Sequence, residues 1–132
     1  MEVTNNDTLK LEVFNPIWDD ITIEAAGADT FETNQVLAFD ASTGTYKKTV
    51  SGTAAVANAK AILKEEVVFT GAGTKKTRAL LGGEINSGVL VFEGADTLET
   101  IPAGADDSFR VQLRAYGIVA RDGVRIDNLD NQ

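Results

Sequence analysis

Between Ala59 and Phe92 the apolar residues of this chain come in short runs: Ala61-Ile62-Leu63, Val67-Val68-Phe69, Thr77-Arg78-Ala79-Leu80-Leu81 and Val89-Leu90-Val91-Phe92. Apolar runs this short, bounded by glycine and charge, are strand-length segments. The polar, glycine-containing joint Gly71-Ala72-Gly73-Thr74-Lys75-Lys76 predicts a hairpin between Val67–Phe69 and Thr77–Leu81. Gly82-Gly83 and Ser87-Gly88 bracket Glu84-Ile85-Asn86, which predicts a further change of direction there. No reactive group lies at the centre of the block, so it reads as a scaffold.

At 132 residues the chain is one domain's worth, large enough for a core without cross-links. It has no cysteine, hence no disulfide framework, thiolate nucleophile or cysteine metal site. It also has no histidine, the usual general base near neutral pH and the commonest metal ligand. Ser-His-Asp and Cys-His hydrolase arrangements are thereby excluded, while lysine and carboxylate chemistry is not. Twenty acidic against twelve basic residues give a formal charge of -8. Such a surface repels phosphate backbones, so nucleic acid is not an expected partner. No apolar run approaches the roughly 18 residues that span a bilayer, so no membrane is expected either. The opening MEVTNNDTLK has neither the basic start nor the apolar core of a secretion signal, and a soluble intracellular origin is the expectation.

Taken in order, residues 1–8 read as a loose end. Leu9, Leu11 and Val13 alternate with polar residues, with Phe14 on the other face, and Asn15-Pro16 breaks the run. Trp18 and Asp19-Asp20 precede a second alternating run, Ile21–Glu24, so two strands or an N-terminal arm are expected over 9–24. Ala25–Asp29 reads as a turn. Asn34–Asp40 and Thr45–Val50 form a hairpin about Asp40-Ala41-Ser42-Thr43-Gly44. Glu93–Gly104 is loop. From Asp106 to Gly117 two readings compete. Phe109, Val111, Leu113 and Ala115 alternate as in a strand, yet Asp106–Ser108 could cap a helix with Phe109, Leu113 and Tyr116 on one face and Gly117 at its end. Ile118–Ala120 is a last strand and 128–132 a frayed tail. No repeat or linker divides the chain, so 1–132 is expected to be a single domain.

Candidate sites are few. Gly71–Thr77 has the look of a phosphate loop, but Thr74 stands before Lys75 where that motif needs glycine, and a β-like run follows; a hairpin tip is the simpler reading. Asp40–Gly44 lacks the further acidic ligands of a calcium loop and reads as a turn. Asp19-Asp20 and Glu65-Glu66 are neighbours in extended chain and diverge, while Asp106-Asp107 suits capping, so none builds an acid/base pair. Asn6-Asp7-Thr8 fits a glycosylation sequon without an export signal to give it meaning. Trp18 fits a partner anchor and a core position equally.

From Gln35 to Val119 the order of features resembles the head-decoration proteins of tailed bacteriophages, the lambda-type capsid-stabilising family. The resemblance is carried by Val36-Leu37-Ala38-Phe39-Asp40-Ala41-Ser42-Thr43-Gly44-Thr45-Tyr46, by Ala59-Lys60-Ala61-Ile62-Leu63, by Ala79-Leu80-Leu81-Gly82-Gly83-Glu84-Ile85-Asn86 and by Leu113-Arg114-Ala115-Tyr116-Gly117-Ile118-Val119. Lys60 departs from the valine usual in the family, and the alternation over 9–24 departs from its flexible arm.

The resemblance implies a mainly β, small β-barrel-like or β-tulip-like single domain with a short C-terminal helix, and so favours helix over 106–117. It implies a core over 35–121, no catalysis and no cofactor or metal. It also implies a homotrimer on the outside of an expanded phage head, bound to the major capsid protein and made in the host cytoplasm. Three identical contacts made together would give avidity well beyond one alone. Leu9, Leu11, Val13, Phe14 and Trp18 are the expected capsid contacts, with Leu9–Phe14 adding a strand to a capsid sheet edge. The rival reading is a ligand- or carbohydrate-binding β-barrel module. A binding mouth would gather aromatics, whereas Phe14, Trp18, Phe31, Phe39, Tyr46, Phe69, Phe92, Phe109 and Tyr116 are scattered singly along the chain.

Overall fold

A computed structural model of the protein describes residues 13–122. The strands are β1 (Val13–Ala25), β2 (Asp29–Phe31), β3 (Val36–Asp40), β4 (Thr45–Lys48), β5 (Ala59–Leu63), β6 (Val67–Phe69), β7 (Gly73–Asn86) and β8 (Ile118–Arg121), with one α-helix, α1 (Phe109–Ala115). The main sheet runs β1-β4-β3-β5-β7-β8, and β1 also pairs with β7, so five strands close into a barrel and β8 lies outside it. The molecule is therefore mainly β, a small closed barrel with one short helix near its C-terminal end, in one compact domain.

Closure divides the core in two. Ile21, Ile23, Leu37, Ala61, Leu63 and Ala79 come from β1, β3, β5 and β7 and fill the lumen with Phe31 and Phe69. Their chain neighbours Val36, Ile62 and Leu80 point the other way, as alternation requires, and lie beneath Phe109 and Leu113 of α1, with Ile118 and Leu98. The wall β3–β5–β7 is thus buried on both faces. Each fully buried isoleucine, leucine or phenylalanine contributes on the order of 1.5–3 kcal/mol by leaving water. β2 and β6 pair only with each other and supply the rings of Phe31 and Phe69, 5.4 Å apart, to the lumen.

The β3–β4 hairpin forms as expected, with Asp40 opposite Thr45, although β4 ends at Lys48 and β3 begins at Val36. The helix also forms. Ser108 Oγ accepts the Val111 N–H, and Gly117, at φ +90°, takes the left-handed conformation that ends it. Asp106 and Asp107 stand exposed ahead of that cap. Seven residues are too few to be helical alone; the burial of Phe109 and Leu113, one turn apart, holds them.

Five expectations are corrected. Val67–Phe69 does not pair with the strand that follows, because β6 is taken by β2, and the antiparallel partners of Leu80 and Ala79 are Ile62-Leu63 of β5 and Trp18-Asp19 of β1. Gly73–Lys76, expected as a hairpin tip, already belongs to β7 and pairs with Thr22–Ala25. Gly82-Gly83 is not a turn but lies inside the 14-residue β7, and the chain turns only at Ser87–Val89, a single 3-10 turn. Beyond that turn Val89–Phe92 is not a strand; Val91 makes one isolated bridge to Gln35. The expected pair of strands over 9–24 is, from Val13 onward, the single strand β1. The expectations for Leu9, Leu11, the loose end 1–8, the sequon and the frayed tail fall outside the described residues.

Candidate interaction surface

β1 and β7 run side by side for most of their length, and the irregularity between them is local. Phe14 faces Glu84, Ile17 faces Gly82 and Trp18 faces Leu80. Asn15-Pro16 is therefore an insertion on β1 opposite Gly83, and Leu81 is a compensating insertion on β7. On either side of the pair of bulges the ladder keeps the same register, from Val13↔Ile85 to Ala25↔Gly73. Bulges of this kind re-aim side chains where they occur.

Each residue in the bulge suits its place. Proline has no N–H to lose from a ladder. Asn15 sits at φ +50°, a conformation asparagine tolerates better than most residues. Gly83 sits at φ +114°, and a Cβ there would stand 2.7 Å from the Asn15 carbonyl oxygen and 2.9 Å from that of Phe14, so only glycine fits. Ile17 lies over Gly82, its Cδ1 3.0 Å from where a Cβ would be.

The bulge sorts the expected contact residues onto two faces. Val13 and Trp18 turn toward the core under α1, and the Lys64 ammonium lies 5.2 Å above the Trp18 ring. Phe14 and Ile17 turn the opposite way and remain 45% and 62% exposed, Ile17 being the most exposed large apolar side chain among the described residues. Trp18 is thus in part a core residue, and the exposed apolar pair is Phe14 with Ile17. Sequence reading passed over Ile17 because Asn15-Pro16 looked like a strand end. The signal was there in the pairing of a proline in one strand with a double glycine in another.

Beyond the barrel, the end of β7 carries β1 on one edge and β8 on the other. One face of this three-stranded extension is buried through Val13, Ile85, Ile118 and Ala120. On its other face lie Phe14, Ile17, Val119 and the Glu84–Arg121 ion pair at 2.6 Å. In the lumen this same face of the sheet is lined with Ile21 and Ile23, and exposed Asp19 marks where it leaves the barrel. Burial, and then the Asp19 carboxylate, push the Tyr46 phenol above its ordinary range. Val13 and Arg121 sit at the same end of β7, opposite Ile85 and Asn86, so the first and last strands of the described residues meet beside this face.

The remaining candidates are structural. Asp40 accepts from Ser42 N and Oγ on one oxygen and from Lys47 Nζ on the other, at 2.9, 2.7 and 2.8 Å, with Glu24 3.8 Å from the same ammonium. Lys47 first, then Ser42, hold its carboxyl at about 2, well below the usual carboxylate range. These contacts occupy both oxygens in closing a turn. Asp19 bonds the Asp20 N–H, and Asp20 pairs with Arg78, so these carboxylates do not converge on a common point. Among the described residues no three acidic side chains gather to hold a metal ion. An open cleft of about 350 Å3 lies on the helix side of the β7 end, floored by Leu90, Phe92 and Leu98. Its polar lining is satisfied from within. Ser87 donates to Asp122, Asp96 accepts from Ser51, and Glu99 pairs with Arg110.

No protein-family model matches the chain, and no match to it is found among curated proteins.

Proposed function

We propose that this protein is a structural, non-enzymatic capsid-decoration protein. It binds as a trimer at three-fold or quasi-three-fold sites on the outer surface of an expanded phage head, against the major capsid protein, and holds the shell against the pressure of packaged DNA. The observation that carries the reading is the exposed face at the end of β7. It is apolar at Phe14 and Ile17, built on an obligatory glycine, and Val13 and Arg121 lie beside it. An apolar platform of this kind suits attachment to a shell, where an extended segment adds to a sheet edge and a neighbouring surface seats against the subunit.

The stretch from Leu9 through Phe14 is the segment assigned to the shell, with Val13 and Trp18 anchoring it to the body. The barrel lumen is filled by Ile23, Leu37, Leu63, Phe31 and Phe69, which counts against a carbohydrate site inside the barrel. The test is to incubate the purified chain with expanded heads assembled from the major capsid protein of the same phage and count bound copies. Saturation at three copies per three-fold site is the expected result; binding that never saturates, or none, rejects the reading. Removing residues 1–14 should lower occupancy, and full occupancy without them would take the shell contact away from this segment.

A further inference from the structure

The exposed face at the end of β7 carries one charge that the molecule leaves uncompensated. Phe14 and Ile17 project from it, and Glu84 and Arg121 neutralise each other there. Asp19 stands two residues beyond Ile17 on the same strand, so alternation sets it on the same face, and it is exposed. Its carboxylate accepts the Asp20 N–H at 2.7 Å, and no lysine or arginine pairs with it among the described residues. Its neighbour Asp20 turns to the other face and pairs with Arg78. A neutral acceptor would serve the Asp20 N–H equally, so the local structure does not require a charge at Asp19.

We propose that this face docks a segment of the major capsid protein that is both apolar and basic. An apolar side chain of that segment lies against Phe14 and Ile17, and a lysine or arginine beside it meets Asp19. This docking rests on the decoration reading above and names the chemistry of its partner.

Charge complementarity selects the occupant. Covering Phe14 and Ile17 takes water from the surroundings of Asp19, and a carboxylate that loses water without gaining a partner opposes binding. The chain supplies no cation of its own, so the partner must. The formal charge of -8 acts in the same sense at longer range, drawing basic surfaces in and turning acidic ones away. Phosphate backbones and anionic lipid surfaces would meet the same carboxylate and are disfavoured. A second copy presenting this same face would set Asp19 against Asp19. The bland role for an acidic residue beside exposed apolar side chains is to keep copies from sticking together. The two roles differ in what removal of the charge does: a docking group loses binding to heads, whereas a guard gains self-association.

The test measures copies bound per expanded head against free chain, at about 50 and 300 mM salt, for wild type, Asp19→Asn, Asp19→Lys and Asp107→Lys. Asparagine keeps the acceptor for the Asp20 N–H and removes only the charge, which keeps the test open if the lysine variant misfolds. Asp107 is exposed ahead of α1, and its replacement makes the same change of net charge away from this face. At low salt Asp19→Asn should bind about threefold or more weakly and Asp19→Lys about tenfold or more weakly, while Asp107→Lys stays within about twofold of wild type. The gaps should narrow at high salt. Asp19 variants that bind like wild type, or an Asp107→Lys loss as large as that of Asp19→Lys, overturn the proposal. Light scattering of the free chain reads the other occupants. Self-association gained by Asp19→Asn with head binding intact makes Asp19 a guard, and a free oligomer lost in Asp19→Lys gives the face to a second copy; either overturns the proposal. Wild type that never binds heads removes the decoration reading and this docking with it, whereas saturable binding indifferent to Asp19 removes this docking alone.

Discussion

The two halves of β1 are made of similar residues and do different things. From Ile21 to Ala25 the strand alternates, with Ile21, Ile23 and Ala25 in the lumen and Thr22 and Glu24 outside. From Val13 to Asp20 the same strand, on the same partner, leaves Phe14 and Ile17 in water. Isoleucine occurs in both halves, so hydrophobicity does not separate them. What separates them is the pair of bulges, which shifts the ladder and then restores it. A distortion that cancels itself contributes nothing to the register of the sheet, and its lasting effect is where Ile17 points. The regular half belongs to the core, while the bulged half packs Val13 and Trp18 inward and presents Phe14 and Ile17 to water.

The sharpest way to break this comparison is to truncate one isoleucine in each half. Ile23→Ala removes a fully buried side chain from the lumen and should cost about 2–5 kcal/mol in urea unfolding. Ile17→Ala should cost about 0.5 kcal/mol or less in the monomer, since most of that side chain is already in water. Equal costs would mean that Ile17 is a core residue and that the exposed face does not exist as described.

Gly83→Ala comes next in size. Its Cβ would meet the Asn15 carbonyl, and its φ is hostile to an L side chain, so a loss of about 1–3 kcal/mol is expected, with NMR shifts changing over Phe14–Trp18. Gly27→Ala, where a Cβ meets nothing, is the matched control. A silent Gly83→Ala would show that the bulge is not held in place by the close approach of the two strands.

The smallest expected effect tests a turn remote from the bulge. Asp40 titrates near 2 when folded, below its ordinary 3.8, because Lys47 and Ser42 bond its carboxylate. A depressed folded value means that this contribution is complete above about pH 4 and lost as pH falls through about 2. Asp40→Asn should therefore narrow its gap from wild type in urea midpoint between pH 5 and pH 2. A gap that stays constant across that window would separate Asp40 from the acid response.

Much of the barrel was readable from the residues. The β3–β4 hairpin followed from Asp40–Gly44, and β8 from Ile118–Ala120, because short-range turn chemistry and alternation decide such elements locally. The helix was readable only as one of two alternatives, since Phe109 and Leu113 fit both periods and tertiary burial chose between them. Pairing across long separations was not readable. Val67–Phe69 looks like the first arm of a hairpin, and only the distant partner Asp29–Phe31 claims it. At the candidate surface, Phe14 was legible as apolar and near a chain end. Ile17 was not, because a compensated bulge needs two strands and each sequence shows half of it. Gly82-Gly83 and Asn15-Pro16 look like two chain breaks, and they are one feature.

The most direct test of the central claim, that the bulged half of β1 is a working surface, is occupancy of expanded heads measured in parallel for wild type and Ile17→Asp. Saturable three-fold occupancy by wild type, with a large loss in a folded Ile17→Asp chain, is the expected result. Equal occupancy by both, or none by wild type, would contradict it.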